Sequence, residues 1–178
     1  MVIRGALSDL IARRGITSLL DAPCGDFAWM RHVVQCLKEY RGVDIVPDLI
    51  RRNRVADESQ SVRFSCLDLT VDTLPRCDLV LCRDCFIHLP TRAIRQATRN
   101  FIASGATWLL AGNQPGALYH DIPLGSFRPV DLTAPPFSWP EPIERLADNG
   151  GELCLWRLQD LREVHDTAAA RVPPSSAE

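Results

Sequence analysis

Four aspartates and a histidine in the first half of the chain have the types and the spacing to do chemistry. Asp21, Asp44 and Asp68 each close a predicted strand, with Asp44 placed 23 positions after Asp21, and Asp84 and His88 follow a fourth strand. A carboxylate at a strand end can accept hydrogen bonds from paired hydroxyls or from an amine, or it can face a cation. A carboxylate or an imidazole beside a reacting hydroxyl can take its proton, and histidine as a residue type titrates near neutrality. Gly25, four residues after Asp21, adds a turn at which backbone can approach a ligand closely.

The elements that must position these groups can be read from periodicity. Thr17 to Ala22 reads as a buried strand, Pro23-Cys24-Gly25 as a tight turn, and residues 26–39 as a helix capped by Asp26. Phe27, Met30, Val34 and Leu37 would form that helix's apolar face, and its N-terminus would offer free N–H groups. Before the strand, residues 2–14 read as a helix with Ile3, Leu7, Leu10 and Ile11 on one face and Gly15 as its stop. Tyr40 to Val46 reads as a second strand, and Pro47 and Asp48 open a short helix through Leu49, Ile50 and Asn53. Val62 to Leu69 is a third strand, Cys77 to Cys82 a fourth, residues 91–104 a helix burying Ile94, Ala97 and Phe101, and Ala106 to Ala111 a fifth strand. Gly112 to Pro142 holds seven of the 13 prolines together with Tyr119, Phe127, Phe137 and Trp139. No helix fits there, and the aromatics imply a packed irregular segment. Ile143 to Ala147 and Leu153 to Leu158 pair as a hairpin across Asp148-Asn149-Gly150-Gly151.

Apolar strands alternating with helices imply an α/β fold with helices on both faces of the sheet. The expected sheet is a single-domain, Rossmann-like one of seven strands, five parallel plus a C-terminal antiparallel hairpin. The domain should span residues 1–165, with 166–178 as a disordered tail. A chain of 178 residues, 46% hydrophobic with net charge -2, suits a globular domain and offers no field for nucleic acid or membrane. Seven cysteines, an odd count spread over core elements, point to reduced thiols in a cytoplasm.

The turn departs from the dinucleotide pattern, which needs three glycines against a pyrophosphate. Gly25 stands alone beside a carboxylate that would repel phosphate and suits a ligand with a cationic head. Asp21-Ala22-Pro23-Cys24-Gly25-Asp26 resembles the first motif of class I S-adenosylmethionine-dependent methyltransferases, in a subfamily reading Asp-x-Pro-Cys-Gly-Asp. The resemblance covers residues 16–160 and extends to Arg83-Asp84-Cys85, His88-Leu89, Gly125 to Arg128 and Pro136-Phe137. It implies S-adenosyl-L-methionine as cofactor, held by Asp21, Cys24, Gly25, Asp44, Ile45, Asp68, Leu69 and Arg83. Asp44 would meet the ribose, Asp68 the adenine amine, and Asp21 and Gly25 the methionine end. Asp84 and His88 are the catalytic candidates, and Tyr119 and Arg128 the acceptor-binding ones.

Each has a plainer alternative. Asp44 could be a solvated strand end, Asp68 a turn cap, His88 a residue that packs and caps the next helix, and Arg128 half of a surface ion pair. Cys82-x-x-Cys85 has no second pair to complete a zinc site. Arg92, Arg95 and Arg99 read as one solvated helix face. The implied activity is O-methylation of a small molecule or glycan. The alternatives are N-methylation of a peptide or protein, and a catalytically silent relative that binds cofactor or a partner. About 16 residues precede the first strand, where relatives often carry a segment over the cofactor. Either the chain is cut short there or a second copy, as in a homodimer, supplies that cover.

Overall fold

Runs of leucine, valine and cysteine make strands that bury residues on both sides. A computed structural model describes residues 2–148 and 150–162; the expected tail lies outside them. Its strands are β1 (Ser18–Asp21), β2 (Glu39–Asp44), β3 (Val62–Cys66), β4 (Leu79–Cys82), β5 (Trp108–Asn113), β6 (Glu144–Asp148) and β7 (Gly151–Arg157). They form one sheet in the order β3-β2-β1-β4-β5-β7-β6. The first five run parallel, and β7 is antiparallel to both β5 and β6. In register, Asp21 pairs with Gly42 and Leu81, and Asp44 with Cys66. The carboxyl ends of four strands therefore meet at one edge, where open α/β sheets bind ligands.

Alternation along the strands sorts the core into two layers. Leu19, Leu79, Leu81, Leu110 and Leu155 pack on one face with Ile3, Leu7, Leu10 and Ile11 of α1 (Val2–Arg14) and Ile50 of α2 (Pro47–Asp57). Leu20, Val80, Leu109 and Trp156 pack on the other with Ile94, Ala97 and Phe101 of α3 (Thr91–Ala103). Helices thus cover both faces, as the alternation implied. The proline-rich segment forms no strand or helix between β5 and β6, and it is packed: Val130, Leu132, Phe137 and Trp139 are buried against the α3 layer.

One expected element is absent. No α-helix follows β1. Residues 26–38 run as turns with two short 3₁₀ segments, Met30–His32 and Val34–Cys36. Gly25 and Phe27 both have positive φ, 55° and 60°, which stops a right-handed helix from starting there. Asp26 accepts from the Ala28 N–H at 3.0 Å and closes a local turn instead of capping a helix. The buried side chains are Phe27, Met30 and Val33, a spacing of three that matches the 3₁₀ turn, while Val34 and Leu37 are half-buried. Phe27 packs against Tyr40 and Phe64 at ring separations of 5.0 and 5.1 Å. β3 also ends earlier than expected, at Cys66, so Asp68 lies in the turn beyond it.

Candidate functional site

The ends of β2, β3 and β4, one side of α3 and the loop tip at Leu124 and Gly125 enclose a cleft of about 990 Å³. Asp44, Ile45, Asp68, Leu69, Asp84 and His88 all line it. The cleft therefore brings together six of the residues singled out from sequence.

Asp44 is 8% exposed and fixed at both oxygens. Oδ1 accepts from the Val46 N–H at 3.0 Å and Oδ2 from the Gly25 N–H at 3.2 Å. Each oxygen keeps a second lone pair for a ligand hydroxyl. Asp68 combines both of its readings. Its Oδ1 closes the turn by accepting from the Thr70 N–H and hydroxyl at 2.8 and 2.7 Å, while the residue faces the cleft beside half-exposed Thr70 and buried Leu69.

The first loop is arranged otherwise than expected. Asp21 does not face the crevice. It is 1% exposed and accepts from the Tyr40 hydroxyl at 2.7 Å. Burial pushes its carboxyl up to about 7, with the Tyr40 hydrogen bond pulling the other way. Cys24 is buried, and burial likewise pushes its thiol up. Gly25 gives its N–H to Asp44 and its carbonyl to the Asn53 side chain at 2.8 Å, so its amide is turned to the protein. Of this loop, Pro23 alone among the described residues lines the cleft. Arg83 is also drawn away. It grips Asp148 through Nε at 2.6 Å and Nη2 at 3.2 Å, stacks over Trp29, and touches Asp84 through Nη1 at 3.1 Å.

Asp84 has φ of 53°, a strained conformation for a non-glycine residue and one that gathers at functional sites. Its side chain is 63% exposed. His88 ends the 3₁₀ turn Phe86–His88, and its ring nitrogen Nδ1 lies 3.0 Å from the Ser126 carbonyl. A carbonyl only accepts, so Nδ1 carries the proton and a neutral ring leaves Nε2 as acceptor. His88 does not cap α3. Asp121 does, accepting from the Thr91 N–H at 2.8 Å and the Thr91 hydroxyl at 3.0 Å.

Arg128 is not open to a ligand, and the ion pair it makes, Nη1 to Asp121 Oδ1 at 3.5 Å, is buried on the arginine's side. It is 1% exposed and donates to the His120 carbonyl, to the Leu89 carbonyl at 3.3 Å and to the Thr91 hydroxyl at 3.2 Å. Tyr119 lies beneath its guanidinium at 5.4 Å and reaches the same Thr91 hydroxyl. Both residues fasten the long segment onto the start of α3, outside the cleft. Sequence reasoning read Arg92 as part of a solvated face and missed Gln96 and Asn100, and all three line the cleft from α3. Their spacing of four along one helix was the available signal. Arg95 instead donates to the Pro136 carbonyl at 3.0 Å, so the three arginines do not share one free face. Cys82 and Cys85 are both buried, and among the described residues no cluster of three metal-binding side chains occurs.

No family model matches the chain, and no curated protein matches it. Solved structures do. The chain is similar to magnesium protoporphyrin IX methyltransferase from Synechocystis PCC 6803 with bound SAM, at TM-score 0.61 and 13% identity over 87% of this chain and 77% of that one. It is similar to the N-methyltransferase NodS from Bradyrhizobium japonicum WM9, at TM-score 0.58 and 15% identity over 80% and 85%. It is also similar to a sugar N-methyltransferase from Streptoalloteichus, at TM-score 0.53 and 18% identity over 68% and 52%. The chain spans between 52% and 65% of the length of several matched structures. At these identities the likeness establishes the fold, which is the Rossmann-like seven-stranded fold of class I methyltransferases.

Proposed function

We propose that this chain is an S-adenosylmethionine-dependent methyltransferase acting on a hydroxyl of a small molecule or glycan, in the branch whose first motif reads Asp-x-Pro-Cys-Gly-Asp. The observation that carries the reading is the cleft, which joins Asp44 at the end of β2 and Asp68 in the turn after β3 to a histidine with a free ring nitrogen. The donor set fits the nucleoside part of the cofactor. Asp44 has lone pairs left for the ribose hydroxyls, Asp68 for the adenine amine, and Ile45 and Leu69 offer apolar contact to the base. When bound, the cofactor supplies a methyl group on a positively charged sulfur, so transfer to a hydroxyl oxygen releases a thioether and one proton. In this reading His88 takes that proton at Nε2, and the Ser126 carbonyl 3.0 Å from Nδ1 supports it by favouring the tautomer with Nε2 free. Asp84 is the alternative base at the same edge of the cleft. The free state of all seven cysteines supports a reducing compartment such as the cytoplasm.

One observation favours a rival. The loop expected to hold the methionine end keeps Asp21 and the Gly25 amide turned inward. A silent relative that binds a nucleoside without transferring methyl would have no use for that end. Calorimetry with S-adenosylhomocysteine and with adenosine separates the two. The methyltransferase reading expects the homocysteine-bearing ligand to bind at least about tenfold more tightly. Equal affinities would favour the silent relative.

A further inference from the structure

We propose that the acceptor is a small aromatic hydroxy acid, with its ring against an apolar rim beside His88 and its acid group on Arg92. The proposal rests on the methyltransferase reading and names the substrate class of that site.

Arg92 is the one lysine or arginine lining the cleft among the described residues. The neighbouring cations are occupied: Arg83 on Asp148, Arg95 on the Pro136 carbonyl, Arg128 on three oxygens of the loop and α3. Arg92 is exposed, stands in the first turn of α3, and has no ion-pair or hydrogen-bond partner among the described residues. A free guanidinium presents a planar fork that matches a carboxylate. The cleft's own carboxylates, Asp44, Asp68 and Asp84, sit at or just past the strand ends instead, and of the three Asp84 alone has a cation on it among the described residues, Arg83 Nη1 at 3.1 Å. An acidic acceptor would be repelled from them and drawn to α3, which fixes its direction.

The rim is the second observation. Val71 and Leu124 line the cleft at 75% and 72% exposure, and Phe127 is 65% exposed with its ring 6.0 Å from that of His88. Large apolar side chains left exposed at a cleft mark a ligand surface, with Phe127 standing beside the lining and next to His88. Two backbone bonds hold this rim to the turn bearing the base. Gly125 N–H donates to the His88 carbonyl and Arg128 N–H to the Ile87 carbonyl, both at 2.9 Å. Between them, the Ser126 carbonyl accepts a hydrogen bond from the His88 Nδ1–H. These bonds fix the loop side of the rim beside the base, while Val71 stands on the turn after β3. A flat ring can stack on Phe127 and Leu124, whereas a sugar would lay hydroxyls against them without partners. A phenol, with pKa near about 10, also gives its proton to an imidazole far more readily than a sugar hydroxyl does.

The test is calorimetry on the full chain with 4-hydroxybenzoate, phenol and cellobiose, each with and without saturating S-adenosylhomocysteine, whose own binding is titrated separately. We expect 4-hydroxybenzoate to bind at least about tenfold more tightly than phenol, and cellobiose not at all. Arg92→Gln should remove the advantage of the acid and leave S-adenosylhomocysteine affinity unchanged, while Phe127→Ala should weaken both aromatic ligands. Equal affinity for phenol and 4-hydroxybenzoate, no effect of Arg92→Gln, or preference for cellobiose would overturn the proposal. Binding of S-adenosylhomocysteine without any of 4-hydroxybenzoate would overturn it and spare the methyltransferase reading. Absence of S-adenosylhomocysteine binding would strike that reading itself, with 4-hydroxybenzoate still tested alone.

Discussion

The Ser126 carbonyl decides which nitrogen of His88 is left to act. Replacing His88 with Gln should therefore lower turnover by about 100-fold while S-adenosylhomocysteine affinity stays within a few-fold. Asp84→Asn is the matched control, since it removes a charge that Arg83 already partly neutralises and should cost less. If the Asp84 variant is the slower of the two in single-turnover assays, the base is Asp84. Asp44→Ala should weaken S-adenosylhomocysteine at least about tenfold, one lost charge-assisted bond. It should also lower folding stability by about 1 kcal/mol, because Asp44 holds the Gly25 and Val46 amides; denaturant unfolding measures that part. Which aspartates end strands was legible from sequence, because a polar residue closing an apolar run is a local signal. Which way each one faces was not. Asp21 and Asp44 share one pattern, but Asp21 is turned inward to the Tyr40 hydroxyl while Asp44, also mostly buried, lines the cleft.

At the scale of elements, periodicity placed the seven strands, α1, α2 and α3, each with its buried face. It failed at residues 26–38, where apolar residues at spacings of three and four fit a helix and a 3₁₀ turn alike. There the positive φ at Gly25 and Phe27, a tertiary choice, decided the outcome. Arg128 was misjudged for a related reason. A charged residue in a polar loop reads as a surface group, but the long segment folds over it and uses it as a tie. Arg128→Met should therefore destabilise the fold by about 2–3 kcal/mol, since two carbonyls and the Thr91 hydroxyl lose their donor and Asp121 its cation. Limited proteolysis should show faster cutting within residues 114–135. A variant as stable and as resistant as the wild type would mean that the aromatic and backbone contacts hold the segment by themselves.

Over the whole molecule, Asp21 imprints its burial on the pH dependence of stability. Its folded carboxyl is raised to about 7 from the ordinary aspartate value of 3.8, so between those values the folded chain holds a proton that the unfolded chain has lost. The Asp21 contribution is thus fully present below about pH 4 and declines as pH rises toward 7. Urea unfolding of wild type against Asp21→Asn should show the wild type losing stability relative to the variant across that window, and a flat difference would contradict the burial of Asp21 in acid form. The central claim, however, concerns the cleft and its cofactor. Calorimetry of the folded full chain with S-adenosylhomocysteine, and in parallel with NAD, tests it most directly. The account predicts saturable S-adenosylhomocysteine binding at one site per chain, weakened at least about tenfold in Asp44→Ala, and no binding of NAD. A folded chain that takes up NAD, or that gives no heat with S-adenosylhomocysteine, would contradict it.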